Sequence, residues 1–152
     1  MTVAYSFADV NLILSGPGTA DLILSESGVA DEGITVVRTG DQNTMTGGAT
    51  RGVIHSLHMT RSGRITLRLR KDSPYNRILN TLANYQFSSG AYHGQNILTV
   101  SNRVWGDEVD ATQCAFVRYP DGTWAKAAAL TEWMFDCGDI AQQLGDGTLV
   151  AA

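Results

Sequence analysis

The chain has 152 residues, 43% of them apolar, with a formal net charge of −4 and a pI of about 5.2. That length and composition fit one globular domain with its own core and exclude an intrinsically disordered chain. No apolar run approaches the roughly 18 residues of a membrane-spanning helix, and a dedicated nucleic-acid binder is normally basic.

The first residues, MTVAYSFADVN, lack a basic start followed by an apolar block. No signal peptide is therefore expected, and folding is expected in the cytoplasm of the cell that makes the protein. AYSFADVNLIL reads as a first strand, ended by Gly16, Pro17 and Gly18. TADLILS reads as a second strand, ESGVADEG as a loop and ITVVRT as a third strand. Residues 40–52 are then polar, small or glycine, with Met45 as the one substantial apolar side chain. A soft segment of that length is uncommon in a small domain unless it is disordered or makes a contact. VIHSLHMT reads as a fourth strand. In RITLRLRK, Ile65, Leu67 and Leu69 alternate with Arg64, Thr66, Arg68 and Arg70, which puts one face in a core and the other against water or a partner.

One helix is expected, over KDSPYNRILNTLANYQFSSG. Ser73 stands as its N-cap, with Asp72 able to share that role, and Pro74 at the first helical position. Tyr75, Ile78, Leu79, Leu82 and Tyr85 recur at helical spacing as an apolar stripe, and Gly90 lies past the end. NILTVSNRVW and EVDATQCAFVRY follow as strands, YPDGTW as a turn, and WAKAAALTEWMFDC as the closing strand. The tail GDIAQQLGDGTLVAA carries little pattern of its own. About eight short strands with close turns and one helix predict a mainly β fold: an antiparallel barrel or sandwich with one flanking helix, in a single domain over 1–152. Its edges must be hidden, by closure or by a neighbouring subunit.

Catalytic and cofactor motifs are missing. GPGTAD lacks the third glycine and the helix of a dinucleotide loop, and TGGATRG lacks the lysine of a phosphate loop. His55 and His58 are three apart, which on a strand places them on opposite faces. His93 has no catalytic partner in the sequence. Asp107, Glu108 and Asp110 do not have calcium-loop spacing. Cys114 and Cys137 sit in strand-like stretches and read as small buried hydrophobes kept reduced; a disulfide between neighbouring strands has no support in the sequence. No cofactor, metal or small-molecule substrate is expected. Trp105, Trp124 and Trp133 leave open a β-barrel binding module, although tryptophans in a β fold more often pack a core.

Charge is unevenly distributed. Residues 61–77 carry six bases (Arg61, Arg64, Arg68, Arg70, Lys71 and Arg77) against Asp72 alone. From Asp107 onward there are eight acids and two bases. A molecule basic at one end and acidic at another can meet a copy of itself head to tail.

With these elements placed, the chain resembles the tail tube proteins of contractile-tailed bacteriophages. The resemblance runs along nearly the whole chain, through GVADEGITV, DQNTMTGGATRGVIHSLHMTRSGRITLRLRKDSPYN, HGQNILTVSN and TWAKAAALTEWMFDC. It implies a structural virion protein without enzymatic activity. Six-subunit rings would stack into the hollow inner tube of the tail, through which phage DNA passes without specific binding. It implies sheath, tape-measure, baseplate and tail-terminator proteins as partners. The tubes of phage-like bacteriocins and of type VI secretion are related alternatives. On this reading, residues 40–52 order on contact and bridge stacked rings. Asp41, Gln42, Asn43, Thr44, Met45, Thr46 and Arg51, with Arg64, Arg68 and Arg70, are the expected contact residues. Asp107, Glu108, Asp110, Glu132 and Asp136 are expected either to face the lumen or to pair with those arginines, because a lumen of bare arginines would hold DNA.

Overall fold

The computed structural model describes residues 5–6, 10–24, 29–102 and 104–145. Most of them form nine strands and one helix: β1 Val10–Gly16, β2 Thr19–Leu24, β3 Val29–Arg38, β4 Asn43–Gly47, β5 Val53–Leu57, β6 Gly63–Leu69, α1 Tyr75–Phe87, β7 Asn96–Asn102, β8 Asp107–Phe116 and β9 Thr131–Gln143. Seven strands make one antiparallel sheet in the order β2-β1-β7-β8-β9-β6-β3, and β4 and β5 pair only with each other. The mainly β fold with a flanking helix therefore stands. Among the described residues no ladder joins β2 to β3, so these two are the sheet's edges.

The alternation along β6 has the expected outcome except at Thr66, which is buried although it belongs to the outward set. Ile65, Leu67 and Leu69 are buried, while Arg64 points to solvent. Each inward residue meets an inward residue of β9, Ile65 opposite Phe135 and Leu67 opposite Trp133. Leu12 and Leu14 of β1, Leu98 of β7, Ala111 and Phe116 of β8 and Ile140 of β9 join them in one core. Phe116 anchors its aromatic part, tilted against Phe135 with centroids 4.6 Å apart and edge-on to Trp133 at 5.9 Å.

The helix begins where the capping residues place it. Pro74 has helical dihedrals (φ −66°, ψ −19°), and Ser73 Oγ accepts a hydrogen bond from the Tyr75 N–H at 3.3 Å. Its inward face is rotated from the stripe expected from spacing: Leu79, Leu82, Ala83 and Gln86 are buried, whereas Ile78 and Tyr85 are exposed. Gln86 enters the interior because Asn96 satisfies it. The two amides exchange reciprocal hydrogen bonds, each 2.7 Å, and Gln86 also donates to the Pro17 carbonyl at 3.2 Å. The helix end is thereby tied to β7 and to the β1–β2 turn. In that turn Gly18 has φ +90°, and a Cβ there would run into the Tyr85 ring, so glycine meets both demands.

Three boundaries differ from the sequence reading. Residues 29–33, taken as loop, belong to β3: Val29 pairs with Leu69 and Ile34 with Leu67, so an irregular stretch that includes Gly33 (φ +62°) bulges within one strand. Residues 124–130, taken as strand, lie outside regular structure, and β9 instead runs on through Gln143 into the supposedly patternless tail. Part of the expected first strand and loop, and residues 146–152 of the tail, fall outside the described residues.

Candidate functional site: an exposed hairpin and a paired charge ladder

Residues 40–52 are not a soft loop. Asn43–Gly47 pairs in register with Val53–Leu57: Asn43 opposite Leu57, Met45 opposite His55, Gly47 opposite Val53. The tip closes with the Gly48 N–H donating to the Gly52 carbonyl at 3.0 Å. At the base, the His58 N–H donates to the Gln42 carbonyl at 2.9 Å, and Gln42 Nε2 donates to the Thr60 carbonyl at 2.8 Å. The two histidines brace the ladder: His58 Nε2 lies 2.6 Å from Thr44 Oγ1 and His55 Nδ1 lies 3.1 Å from Asn43 Nδ2. The strand expected at 53–60 therefore exists, but it pairs outside the main sheet. Asn43, Gly47 and the glycines beyond masked β4, and its β-strand character became legible only from its partner.

Every residue from 37 to 61 is exposed, and among the described residues β4 and β5 pair only with each other. An isolated two-stranded hairpin is at best marginally stable in water. This one nevertheless displays apolar side chains: Met45 is 64% exposed, Ile54 70%, Leu57 74% and Met59 81%. Directly paired residues of an antiparallel ladder share one face. Met45, Val53 and Leu57 thus share a face with His55, while Ile54 lies on the other with Thr44 and Thr46. Met45 is accordingly one exposed apolar side chain of several. Asp41, Gln42, Asn43, Thr44, Met45, Thr46 and Arg51 all lie on the arm or at its base.

The arginines of β6 are elsewhere, on the outward face of the main sheet. Arg64 stands opposite Asp136 and Arg68 opposite Glu132. Arg64 Nε lies 3.0 Å from Asp136 and Arg68 Nε 3.3 Å from Glu132, and Arg68 also donates to Thr35 Oγ1 at 2.8 Å. Arg61, which precedes the strand, pairs with Asp139 at 2.9 Å. Together they form a ladder of three cross-strand ion pairs. Of the five acids singled out, Glu132 and Asp136 pair with the arginines. Asp110 accepts from Thr99 Oγ1 at 3.2 Å, and Asp107 accepts from the Gly145 N–H at 2.7 Å. Glu108 is exposed on β8. Arg70 pairs with Asp72 at the helix entrance, 2.9 Å away, and takes no part in the ladder. Sequence reading missed Arg61, Asp139 and Arg38; Arg38 donates to the Ile140 carbonyl at 2.8 Å. The β6–β9 register sets Arg64 and Arg68 against their acids, while Arg61 and Arg38 reach β9 from beside that ladder.

The remaining candidates separate. Trp133 is core, Trp124 is exposed beneath Lys71 Nζ (5.1 Å to the ring), and Trp105 meets the Tyr5 ring edge-on at 6.1 Å. Among the described residues no group of three or more metal-ligating side chains converges.

Residues 2–145 match the family described as the Bacteriophage PhiTE tail tube protein. The chain belongs to that family. As a member of a phage tail tube family it is a structural, non-enzymatic phage tail component, and therefore part of the virion. No curated protein matches it. Among solved structures, a chain of the anti-feeding prophage (AFP) baseplate matches with a TM-score of 0.62 at 8% identity, covering 94% of this chain and 97% of that one. A chain of the sheath–tube complex of an extracellular contractile injection system, PVC, in the extended state, matches with a TM-score of 0.52 at 13% identity, covering 88% of each. A chain of the PVC sheath/tube terminator matches with a TM-score of 0.50 at 13% identity, covering 93% and 99%. At such identities these likenesses concern the fold alone.

Proposed function

We propose that the tail tube protein is the repeating unit of a hollow tube, in which six copies close a ring, rings stack, and phage DNA passes through the channel. The observation that carries this is the hairpin: an exposed arm, Asn43–Leu57, apolar on both faces and braced by its own hydrogen bonds, whose two strands pair only with each other among the described residues. A contact from this arm to a different patch on the next copy is heterologous, and a heterologous contact that does not close propagates into a filament. Asp41–Thr46 and Arg51 belong to that contact. The open edges β2 and β3 supply the second kind of junction, in which neighbours in a ring continue one another's sheet. Sheath, terminator and baseplate proteins are the proposed partners; the structural relatives come from assemblies named for those parts. A tape-measure protein inside the channel completes the set. The same relatives favour a second reading, the tube of a phage-like injection particle, with the same subunit contacts.

The test is negative-stain electron microscopy of purified protein over a range of concentration and salt, beside a variant lacking residues 43–57. Gln42 and His58 are already hydrogen-bonded across the base of the arm, so rejoining them leaves the main sheet untouched. Wild type is expected to form stacked rings with a central hole, and the variant to remain folded and unassembled. Tubes formed by the variant would overturn the role of the arm.

A further inference from the structure

Cys114 of β8 and Cys137 of β9 are directly opposed in the ladder, both free and both buried, with their Sγ atoms 3.0 Å apart. We propose that these two thiols are an oxidation site, which closes into a single intrachain disulfide across the middle of the sheet when the protein meets a small-molecule disulfide.

The geometry permits the bond. Directly opposed residues in an antiparallel ladder have Cα atoms roughly 4.5–5.5 Å apart, within the span of about 4.4–6.8 Å that disulfides bridge. Both side chains point to the same, inner face, and the sulfurs are already in contact. The backbone beside them is irregular. Gln113, next to Cys114, has φ +55°, and Gly138, next to Cys137, faces it so closely that a Cβ would meet Gln113 Oε1 at 2.6 Å. On both strands the inward positions skip here, from Ala111 to Cys114 and from Cys137 to Ile140. A ladder interrupted on both strands has room to adjust as the sulfurs move together.

Access distinguishes the two thiols. Cys137 lines an open depression of about 680 Å³ with Phe87, His93, Gln113, Phe116 and Asp136, and lines a second one beside Val37 and Arg64. Cys114 lines neither. Cys114 donates its S–H toward Cys137, which favours the thiolate at Cys137 and holds the Cys114 proton in place. Cys137 is therefore the attacking sulfur. Its thiolate displaces one thiolate from the reagent disulfide and forms a mixed disulfide; Cys114 then attacks the Cys137 sulfur and expels the second. The two thiol protons leave with the two released thiolates, so one reagent disulfide becomes two thiols as the protein's dithiol becomes a disulfide. In a reducing cytoplasm the pair stays as thiols, and a particle released from the cell would meet oxidising conditions.

The experiment exposes the purified, folded full-length chain to oxidised glutathione, quenches it with acid, and counts thiols after denaturation, with intact mass and a non-reducing gel as parallel readouts. The expected product has no titratable thiol, a mass lower by two hydrogens, monomer mobility and full reversal by dithiothreitol. Cys114→Ser should instead accumulate a stable glutathione adduct on Cys137, and Cys137→Ser should accumulate far less. Two thiols surviving in the native wild type, or a cross-link between chains, would overturn the proposal. The wild-type measurement decides it even where a serine variant fails to fold.

Discussion

Leu57 separates a role in folding from a role in assembly. Its side chain is 74% exposed on a hairpin whose two strands pair only with each other among the described residues. Truncation to alanine removes little intramolecular packing, so subunit stability should change by no more than about 0.5 kcal/mol. Fully burying a leucine contributes about 1.5–3 kcal/mol. Three quarters of that surface is available to a neighbour, so about 1–2 kcal/mol per contact is at stake. Since 1.4 kcal/mol is tenfold in an equilibrium constant, Leu57→Ala should raise the critical concentration for polymerisation by roughly five- to thirtyfold. Ile54→Ala, on the opposite face, tests whether both sides of the arm are covered. Sedimentation of polymer against total protein gives the critical concentration, and a thermal melt of unassembled subunit gives stability. If both variants polymerise at the wild-type concentration, the apolar arm does not carry the stacking contact. A large fall in melting temperature would instead place Leu57 in the fold, contrary to its exposure.

Other substitutions probe the subunit itself. Trp133→Ala, at the centre of the core against Phe116 and opposite Leu67, should cost about 3–5 kcal/mol in denaturant melts. Gln86→Leu leaves the buried Asn96 amide without its reciprocal partner, and should cost about 1–3 kcal/mol, with Gln86→Leu/Asn96→Leu recovering part of the loss. Gly63→Ala drives a Cβ into the Val37 carbonyl and the Ile140 side chain, so a loss on the order of 1–3 kcal/mol is expected in the same assay.

Elements with a strong local pattern were legible in the sequence. β6 alternates strictly, and Ser73-Pro74 marks a helix start that the dihedrals repeat. Features that depend on a distant partner were not. The helix turns Gln86 inward only because Asn96 and the Pro17 carbonyl await it, and no helical periodicity announces a buried glutamine. β4 looks like loop until Val53–Leu57 is laid against it. β9 extends to Gln143 because Ala111 and Val109 of β8 offer a ladder to residues with little strand preference of their own. The same limit applied to the charges: acids and arginines were recognised as groups, but the register that makes Arg64–Asp136 and Arg68–Glu132 into pairs is a property of the sheet.

That register changes what the arginines mean for DNA. Duplex DNA is held by lysines and arginines that replace its counterions, and each such contact adds about 0.9 to the slope of log affinity against log salt. Arg61, Arg64 and Arg68 each stand beside a carboxylate on the outward face. To reach a phosphate, each must leave that partner or share it, so the ladder offers little net attraction wherever it faces. Exposed pairs of this kind contribute only about 0–1 kcal/mol to stability, which makes low adhesion the more substantial consequence of the pairing. The double variant Glu132→Gln/Asp136→Asn releases Arg64 and Arg68 with little change in shape. It should bind duplex DNA more tightly than wild type at low salt, with a salt slope steeper by roughly two contacts' worth, near 1.8. Fluorescence anisotropy of a labelled duplex over a salt series measures both quantities. If wild type already shows the steep slope, the arginines reach phosphate despite their partners, and a DNA channel lined by this face would grip its cargo.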